Sequence, residues 1–324
     1  MLGARTEHLL NLVSRSFALC IPMLPKKVKR NVSNFYLLCR YADTIEDSTL
    51  SKEQKDCAFN EFISAIKEEN TEKIVELNKK VIPFVINKND KKMVKNFKNV
   101  LIEFSNFDPK TKKISKKWIS TMVRGMQKYS RKDIENFSDL NNYCYFVAGT
   151  VGMYLTEIFN YKFDLEKQHP ELVKRAKSFG LLLQKVNIIR DFSKDHKEGR
   201  VFWPKHLFKK HNVEVSEMFD KKNEVKRKMI LKEMIANAHE NVKQAFEYIE
   251  LLPKSEAGLR TFCAIPLCMA LPTLMKCEDN EKLFEYGEKV KIDRIETIKI
   301  VDDIKKNITN DDFVKNYCTL IKFK

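Results

Sequence analysis

Glycine and proline are scarce in this chain. Its 324 residues include 8 Gly and 9 Pro, scattered without a cluster that would form a linker. Long stretches rich in Leu, Ile, Lys and Glu take their place, and strict apolar alternation is hard to find. Sandwiches and barrels need frequent turns and alternating strands, so this composition argues against both. We therefore predict an all-α protein that folds as a single domain over residues 1–324.

Paired cysteines and long apolar runs are also missing. None of the 8 cysteines forms a CxxC pair or a Cys/His zinc spacing, so we expect reduced core thiols, as in a cytosolic protein. The longest apolar stretch, Phe262 to Met275, is too short to span a bilayer, and we expect Pro266 and Pro272 to interrupt its helix. Met1 to Leu12 lacks the pattern of a secretory signal. We predict a cytoplasmic protein without a transmembrane segment.

Positive charge is in surplus: the formal net charge is +16 at pH 7 and the pI is near 9.3. Nucleic acid, an anionic membrane surface or an anionic substrate would each suit such a chain. The lysines are spread along the sequence and no nucleic-acid-binding motif occurs, so we predict no nucleic-acid partner. The charge would help to attract a diphosphate or the acidic surface of a bilayer.

A pair of acids ends the segment Leu181–Pro204, LLLQKVNIIRDFSKDHKEGRVFWP, whose apolar start predicts a buried helix. Asp191 and Asp195 are four residues apart, so one helical face carries both, with Asn187 one turn back and Gln184 nearly two. Such oxygen ligands suit Mg²⁺, which proteins hold with one or two carboxylates, waters and substrate phosphates. For an isolated pair, a solvated helix end with salt bridges would be the commoner explanation.

A second acid cluster closes the segment Phe35–Asp47, FYLLCRYADTIED. Its three acids follow the spacing i, i+3, i+4, with Arg40 a turn earlier. If the two clusters face each other across a cavity, they form a cage for several Mg²⁺ ions, or Mn²⁺, and a diphosphate. The predicted metal ligands are Asp43, Glu46, Asp47, Asn187, Asp191 and Asp195.

Six motifs, in order, point to one family. They are SRSF (Ser14–Phe17), DTIED (Asp43–Asp47), YCYFVAGTVG (Tyr143–Gly152), QKVNIIRDFSKD (Gln184–Asp195), GRVFWP (Gly199–Pro204) and FCAIP (Phe262–Pro266). With them the chain resembles the squalene and phytoene synthases, the head-to-head prenyl synthases, over roughly residues 10 to 295. The FWP and FCAIP forms lean toward the squalene synthases. The resemblance implies an isoprenoid-synthase helical bundle around a central cavity.

The resemblance also implies a reaction. Two farnesyl diphosphates condense with Mg²⁺ to presqualene diphosphate, which rearranges and takes hydride from NADPH, or NADH, to give squalene. Because the product is apolar, peripheral attachment to a membrane surface is expected, and we expect a monomer.

Residue roles follow from the same resemblance. The catalytic residues would be Asp43, Asp47, Asp191 and Asp195 through metal, Tyr143 in proton transfer or cation stabilisation, and Phe262 where the second carbocation is quenched. The substrate ligands would be Ser14, Arg15, Phe17, Arg40, Gln184, Arg190 and Arg200. The NADPH ligands would be Ser14, Arg40, Asn187, Arg190, Lys291 and Arg294.

Three positions depart from the family pattern. Phe146 stands where some members carry an aromatic hydroxyl, so a second tyrosine is not available there for proton transfer. Asp293 lies where another base is expected, and His8 lies about where a lysine is expected. The change at Asp293 bears on the reductive half-reaction.

Gly149 and Gly152 lie in a predicted helix over Asp139–Phe159, with Ser138 as its cap. Each glycine costs about 1 kcal/mol relative to Ala inside a helix. A bend, a bound isoprenoid chain or a close helix crossing would each explain them, and the sequence leaves all three open.

Three alternatives stay open. The same fold could end without hydride transfer, as presqualene diphosphate, dehydrosqualene or phytoene. A non-catalytic member would bind prenyl diphosphates or act as a scaffold, although both acid motifs are retained. A basic helical nucleic-acid-binding protein would leave the paired acids unexplained.

Overall fold

The computed structural model describes residues 2–14, 16–278, 280–288 and 290–320. Within these ranges the chain is mostly α-helical and contains no β-strand. The all-α prediction is confirmed.

Contacts between residues group the chain into two compact units. The first unit comprises Met1–Lys132 and Met153–His169, and the second comprises Asp133–Gly152 and Pro170–Lys324. A single domain over residues 1–324 stays a prediction, and each unit is described by itself below.

Nine helices lie wholly or mostly in unit 1. They are α1 (Leu2–Val13), α2 (Ser16–Cys20), α3 (Lys26–Glu46), α4 (Lys52–Glu68), α5 (Thr71–Val81), α6 (Lys88–Lys95), α7 (Lys98–Ser105), α8 (Pro109–Tyr129) and α10 (Thr150–Phe163) among the described residues.

The remaining helices belong to unit 2. They are α9 (Phe137–Cys144), a π-helical turn (Tyr145–Gly149), α11 (His169–Arg190), α12 (Phe192–Lys197), α13 (Lys205–Lys210), α14 (Glu224–His239), α15 (Val242–Leu251), α16 (Ala257–Glu278), α17 (Arg294–Asn307) and α18 (Asp311–Leu320).

Helix α3 is the centre of unit 1. It packs against α1, α4, α7 and α8, and its buried residues lie on most of its circumference, as expected for a core helix. Tyr41 stacks on Phe62 with ring centroids 4.8 Å apart and contacts the tilted ring of Phe97 at 4.3 Å, and its hydroxyl donates to Asn78 at 2.8 Å. This packing fixes the end of α3 that carries the first acid cluster.

Helix α16 runs through the core of unit 2. It continues from Ala257 to Glu278 past Pro266 and Pro272, so the predicted interruption is wrong. Burial of most of its side chains against α14, α15 and α17 stabilises the helix despite the backbone hydrogen bonds that proline removes.

The same helix corrects the prediction about apolar length. Lys254–Glu278 forms 25 helical residues, long and apolar enough to cross a membrane, and it is the one such segment among the described residues. Most of it is buried inside unit 2, as in the core helix of a soluble protein.

The predicted helix over Asp139–Phe159 is divided by the π-helical turn. Its first part starts after Asn136, whose side chain accepts a hydrogen bond from the Asp139 amide, so the predicted cap at Ser138 is wrong by two positions. The Thr150 amide bonds to the Tyr145 carbonyl, five residues back, which defines the π turn.

Close helix crossing accounts for the glycines. A Cβ on Gly152 would collide with the carbonyl oxygen of Ala176 on α11, and a Cβ on Gly180 would collide with the carbonyl oxygen of Ala148. Of the three explanations that the sequence left open, the helix crossing is therefore present in unit 2.

Candidate active site

The first acid cluster lies on the last turn of α3. The helix is regular up to Glu46, and the Asp47 amide donates to the Asp43 carbonyl at 2.8 Å. Asp43 and Asp47 therefore lie one turn apart on one face, as the spacing predicted. Asp43 and Glu46 are partly exposed and Asp47 is exposed.

Arg40 is held by an acid from another helix. Its Nε donates to Asp90 Oδ1 at 3.0 Å and its Nη2 donates to Oδ2 at 2.7 Å. Asp90 lies in the first turn of α6, which Asn87 caps. A two-point ion pair of this kind fixes the orientation of the guanidinium group. Sequence reasoning missed Asp90 because nothing local in the chain links it to Arg40.

Negative charge exceeds positive charge in this cluster. Burial raises the pKa of Asp43 to about 7, Asp47 and Asp90 raise it further, and Arg40 opposes them. The pKa of Asp90 is also raised, again chiefly by burial. The carboxylates of Asp43, Asp47 and Asp90 thus crowd around Arg40, and the Lys55 ammonium lies close by, donating to the Glu46 carbonyl at 2.6 Å. A bound cation would relieve the remaining repulsion among the carboxylates.

Ser14 and Phe17 lie at the start of α2. The Ser14 hydroxyl accepts hydrogen bonds from the Phe17 amide at 3.0 Å and the Ala18 amide at 3.2 Å, which caps this short helix. Arg15 lies outside the described residues. The role of all three in substrate binding stays a prediction.

Tyr36 belongs to the same neighbourhood. It lies one turn before Arg40 on α3, and its ring is 5.2 Å from that of Phe17. Burial raises the Tyr36 pKa, a hydrogen bond with Ser14 lowers it, and Arg40 and Asp43 also act on it. Sequence reasoning missed this tyrosine, although its four-residue spacing from Arg40 could have found it.

The second acid cluster lies at a kink. Helix α11 ends at Arg190, Asp191 leaves helical geometry with φ −98° and ψ 12°, and α12 begins at Phe192. The predicted helix is therefore interrupted at Asp191, between α11 and α12. The Asp191 and Asp195 amides still donate four residues back, at 2.9 and 2.8 Å, so the two carboxylates remain one turn apart.

Each acid of this cluster pairs with an arginine nearby in the chain, one residue away for Asp191 and five residues away for Asp195. Arg190 binds Asp191 through two hydrogen bonds of 2.9 and 2.5 Å, and Arg200 donates to Asp195 at 2.9 Å and to Glu198 at 2.6 Å. Burial raises the pKa of Asp195 to about 6, with Arg200 opposing and Asp191 adding.

A helix-ending motif places Arg200. Gly199 has φ +74°, a value that suits glycine, and its amide donates to the His196 carbonyl at 2.9 Å. The Arg200 amide donates to the Asp195 carbonyl at 2.8 Å, which completes a Schellman motif. The backbone turn thus brings the Arg200 guanidinium back to the Asp195 carboxylate.

Tyr143 is connected to this cluster through an aromatic ring. It is buried and stacks on Phe202 with ring centroids 4.9 Å apart and planes inclined by 16°. The Arg200 guanidinium lies 6.0 Å from the same Phe202 ring. Phe202 was part of a motif but not among the predicted site residues, and only the fold shows its contact with Tyr143.

Lys185 anchors the helix that leads to the kink. Its side chain is 1% exposed, and Nζ donates to the Asn237 carbonyl at 2.9 Å and to Asn241 Oδ1 at 2.8 Å. Asn237 lies in the last turn of α14, so the ammonium group satisfies a helix-end carbonyl. Burial lowers the Lys185 pKa to about 8.

Comparison with known proteins identifies the family. The family model described as squalene/phytoene synthase matches residues 10–296. The chain belongs to the squalene/phytoene synthase family.

Curated squalene synthases are similar to this chain over most of its length. The squalene synthase of Mus musculus is 30% identical over 286 residues, which are 87% of this chain and 65% of that protein. The squalene synthase of Schizosaccharomyces pombe is 31% identical over 297 residues, 89% of this chain and 62% of its own length. This chain thus spans just under two thirds of these relatives.

Solved structures show the same fold. TcSQS in complex with the ligand BPH1237 matches with a TM-score of 0.86 and 28% identity, covering 99% of this chain and 91% of that chain. A dehydrosqualene synthase in complex with a ligand matches with a TM-score of 0.63 at 20% identity, which supports the fold alone.

The other predicted residues of this squalene/phytoene synthase family member lie in unit 2. Gln184 and Asn187 lie on α11, one half-buried and the other exposed. Phe262 is buried in α16. Fifteen residues later on α16, Cys277 is close enough to Arg190 and Asp191 for their charges to affect its pKa. Because an α-helix rises about 1.5 Å per residue, Phe262 lies about 22 Å along α16 from Cys277.

The basic segment before α17 lies at the Cys277 end of α16. Lys276 pairs with Glu296 at 2.6 Å, and Glu296 forms a capping box with Asp293 at the start of α17. Asp293, at the position where a base was expected, is the N-cap of α17. Lys291 and Arg294 are exposed beside it.

The carboxylates fit Mg²⁺. The described residues contain no group of three or more His, Cys, Asp or Glu side chains arranged to hold one metal ion by themselves. Mg²⁺ keeps several waters and substrate phosphates and needs only one or two carboxylates, so pairs are sufficient. The raised pKa values of Asp43 and Asp195 mark the positions where a cation would lower the electrostatic cost.

Proposed function

We propose that this chain is a transferase that condenses two farnesyl diphosphates head to head into presqualene diphosphate and then converts it to squalene. The observation that carries the proposal is the pair of carboxylate clusters, each crowded, each accompanied by arginine, in a member of this family. The squalene synthases named above are the relatives that motivate the choice of substrate.

Diphosphate departure is the first chemical demand. Mg²⁺ bound at Asp43, Asp47, Asp191 and Asp195, with Glu46 and Asn187 as further ligands, would neutralise charge on the departing diphosphate. Arg190 and Arg200 then exchange their carboxylate partners for diphosphate oxygens, and Arg40 does the same in unit 1. In this proposal the ion pairs hold the arginines ready before substrate arrives.

Protection of the carbocation is the second demand. Tyr143 and Phe262 offer buried aromatic faces, and such a face stabilises a cation by about 0.5–2 kcal/mol. Tyr143 also carries the hydroxyl for proton transfer. The surrounding apolar side chains exclude water, which would otherwise capture the cation.

In the reductive half-reaction the carbon–oxygen bond of presqualene diphosphate breaks, the remaining diphosphate leaves, and the rearranged cation takes up a hydride, which NADPH, or NADH, would supply when bound. Lys291 and Arg294 are the cations suited to its phosphates, with Ser14, Arg40, Asn187 and Arg190 as further ligands. Gln184, Ser14, Arg15 and Phe17 complete the proposed substrate contacts.

A product without hydride transfer is the second candidate. Asp293 caps α17 and places a negative charge between Lys291 and Arg294, which weakens this segment as a phosphate-binding site. Presqualene diphosphate or dehydrosqualene would then be the final product, with the condensation chemistry unchanged.

The apolar product also bears on location. We propose that the protein associates peripherally with a membrane surface, to which squalene is released, and that it acts as a monomer.

Product analysis tests the proposal. The protein is incubated with farnesyl diphosphate and Mg²⁺, with and without NADPH, and both released diphosphate and C30 products are measured. Squalene only in the presence of NADPH supports both half-reactions. Presqualene diphosphate or dehydrosqualene in both reactions favours the second candidate. Absence of diphosphate release in both overturns the enzyme proposal and favours a prenyl-diphosphate-binding role.

A further inference from the structure

The outward side of α14 is apolar along its centre. Val225, Met229 and Ala236 are exposed at spacings of four and seven residues, with Lys232 between the last two, so they form one stripe. Val225 is 73% exposed and Met229 is 50% exposed. The opposite side of the helix is buried in unit 2. Helix α14 therefore has apolar side chains on both sides, and among the described residues only the inner side is packed against the rest of the chain.

Lysines surround this stripe. The segment Lys221–Lys232 contains six basic residues and one acid, Glu224. Arg227 is buried and pairs with Glu281, so the basic residues at the surface are Lys221, Lys222, Lys226, Lys228 and Lys232. Lys222 pairs with Asp220 at 3.4 Å and Lys228 with Glu224 at 2.6 Å. Even with these pairs, the segment keeps a surplus of positive charge.

Two other surface helices, α5 and α17, can be compared with α14. The exposed residues of α5 are Glu72, Lys73, Glu76, Lys79 and Lys80, which mix both signs of charge and include no large apolar side chain. Ile86 is as exposed as Val225, at 73%, but it stands alone, and single exposed apolar residues are ordinary. Helix α17 also exposes large apolar residues, Ile295 at 80% and Ile298 at 51%, but the segment Lys291–Asp302 around them carries three basic residues and three acids. The surplus of lysine around an apolar stripe is what sets α14 apart from α5 and α17.

We propose that the stripe Val225, Met229 and Ala236, with its bordering lysines, docks this protein onto the surface of an anionic phospholipid bilayer. Apolar side chains enter the boundary between headgroups and acyl chains, and the lysines bind lipid phosphates and carboxylates. Charge complementarity selects this partner together with the apolar stripe, because nucleic acid would use the lysines but leave Val225 and Met229 in water.

Docking does not depend on the proposed reaction. If the reaction is correct, the proposed surface is where the product would pass to the membrane. Vesicle binding is measured without farnesyl diphosphate or Mg²⁺. Failure of vesicle binding would therefore leave the reaction standing, and an inactive chain could still bind vesicles.

Vesicle flotation of the full chain is the first test. We expect binding to phosphatidylcholine vesicles that contain roughly a third phosphatidylserine, weak binding to pure phosphatidylcholine, and loss of binding at high salt. The double variant V225S/M229S should weaken binding about tenfold. The variants Lys221→Ser and Lys232→Ser should each weaken it about fivefold. Ile86→Ser is the matched control and should bind as the unaltered protein does.

Tryptophan fluorescence locates the contact. Met229→Trp should shift its emission to the blue on addition of the anionic vesicles, whereas Ile86→Trp should not. Trp118 and Trp203 are buried and give a constant background. Equal shifts for both variants, or unaltered binding by V225S/M229S, would overturn the proposal. Binding to polyuridylate without binding to vesicles would overturn it in favour of a nucleic-acid surface.

Discussion

The two acid clusters are assembled in different ways. In unit 1, Arg40 is held by Asp90, which lies 50 residues away on another helix. In unit 2, Arg190 pairs with the next residue, and the turn at Gly199 brings Arg200 to Asp195. The first cluster therefore requires the tertiary packing of unit 1, whereas a segment of eleven residues, Arg190 to Arg200, contains the charges of the second.

This difference affects how well each cluster tolerates substitution of the acids that hold its arginines. Arg40 is oriented by one distant acid, Asp90, so loss of that carboxylate removes its ion pair. Arg200 has two carboxylate partners, Asp195 and Glu198, so it can lose one and keep its position. Redundancy at Arg200 should make the position of this arginine more tolerant of substitution than that of Arg40.

The largest effect should come from the acids themselves. Asp43→Asn and Asp191→Asn each remove a carboxylate with little change of shape, and each should lower Mg²⁺-dependent diphosphate release by about 10²–10³-fold. Glu61→Gln and Asp133→Asn, which neutralise surface acids paired with lysines, are the controls. Release is measured with farnesyl diphosphate, and circular dichroism verifies folding. If only one of the two substitutions lowers diphosphate release, the clusters do not act together on one diphosphate.

The next largest effect should differ between the two clusters when an acid that pairs with arginine is neutralised in each. Asp90→Asn breaks the ion pair that orients Arg40 and should raise the Mg²⁺ concentration for half-maximal activity about tenfold, as loss of a supporting interaction does at metal sites. Glu198→Gln should change it less than twofold, because Arg200 keeps Asp195. A Mg²⁺ titration of both variants checks this. Equal changes would show that the local arrangement gives no redundancy.

The pH dependence of stability tests the role of Lys185, which anchors the helix that leads to the second cluster. Its folded-state pKa of about 8 is lower than the unfolded value, so the charged ammonium destabilises the fold. This cost is fully present below pH 8 and is relieved as pH rises from 8 toward about 10.4. Relative to Lys185→Met, the unaltered protein should gain about 1–2 kcal/mol between pH 7.5 and 9.5.

Denaturant unfolding at both pH values measures this gain. Lys174→Met, on the exposed side of the same helix, should show no such difference. A gap between the unaltered protein and Lys185→Met that is independent of pH would mean that burial leaves the Lys185 pKa unchanged.

The smallest effect concerns the turn at Gly199. Gly199→Ala forces a side chain into positive φ and should cost about 1 kcal/mol of stability, and Gly199→Asn should cost less. Gly3→Ala, in a helix with only ordinary contacts around its Cβ, should be neutral or stabilising. Thermal unfolding compares the three. A Gly199→Ala variant as stable as the unaltered protein would show that the turn changes shape without cost.

Sequence reasoning succeeded where chemistry repeats at helical spacing. The pairs Asp43/Asp47 and Asp191/Asp195 follow from four-residue steps, and the scarcity of glycine and proline indicated helices. The bend at Asp191 could not be predicted, because the four-residue hydrogen bonds continue through it and the apolar pattern is unchanged.

Tertiary contacts set the limit of prediction. Asp90 and Phe202 acquire their roles only when distant segments meet, and neither has a neighbour in sequence that shows it. The continuity of α16 through Pro266 and Pro272 likewise depends on burial against neighbouring helices, which outweighs the local preference of proline.

The π-helical turn between Tyr143 and Gly152 has a consequence for how this family can vary. Hydrogen bonds to the fifth residue rather than the fourth accommodate one additional residue. On one side of the turn Tyr143 stacks on Phe202, and on the other Gly152 packs against Ala176. Deleting one residue would rotate these contacts relative to each other by about 100°. The turn thus sets the angle between the face that carries Tyr143 and the face that carries Gly152, and these two faces can be oriented independently along one continuous stretch of chain.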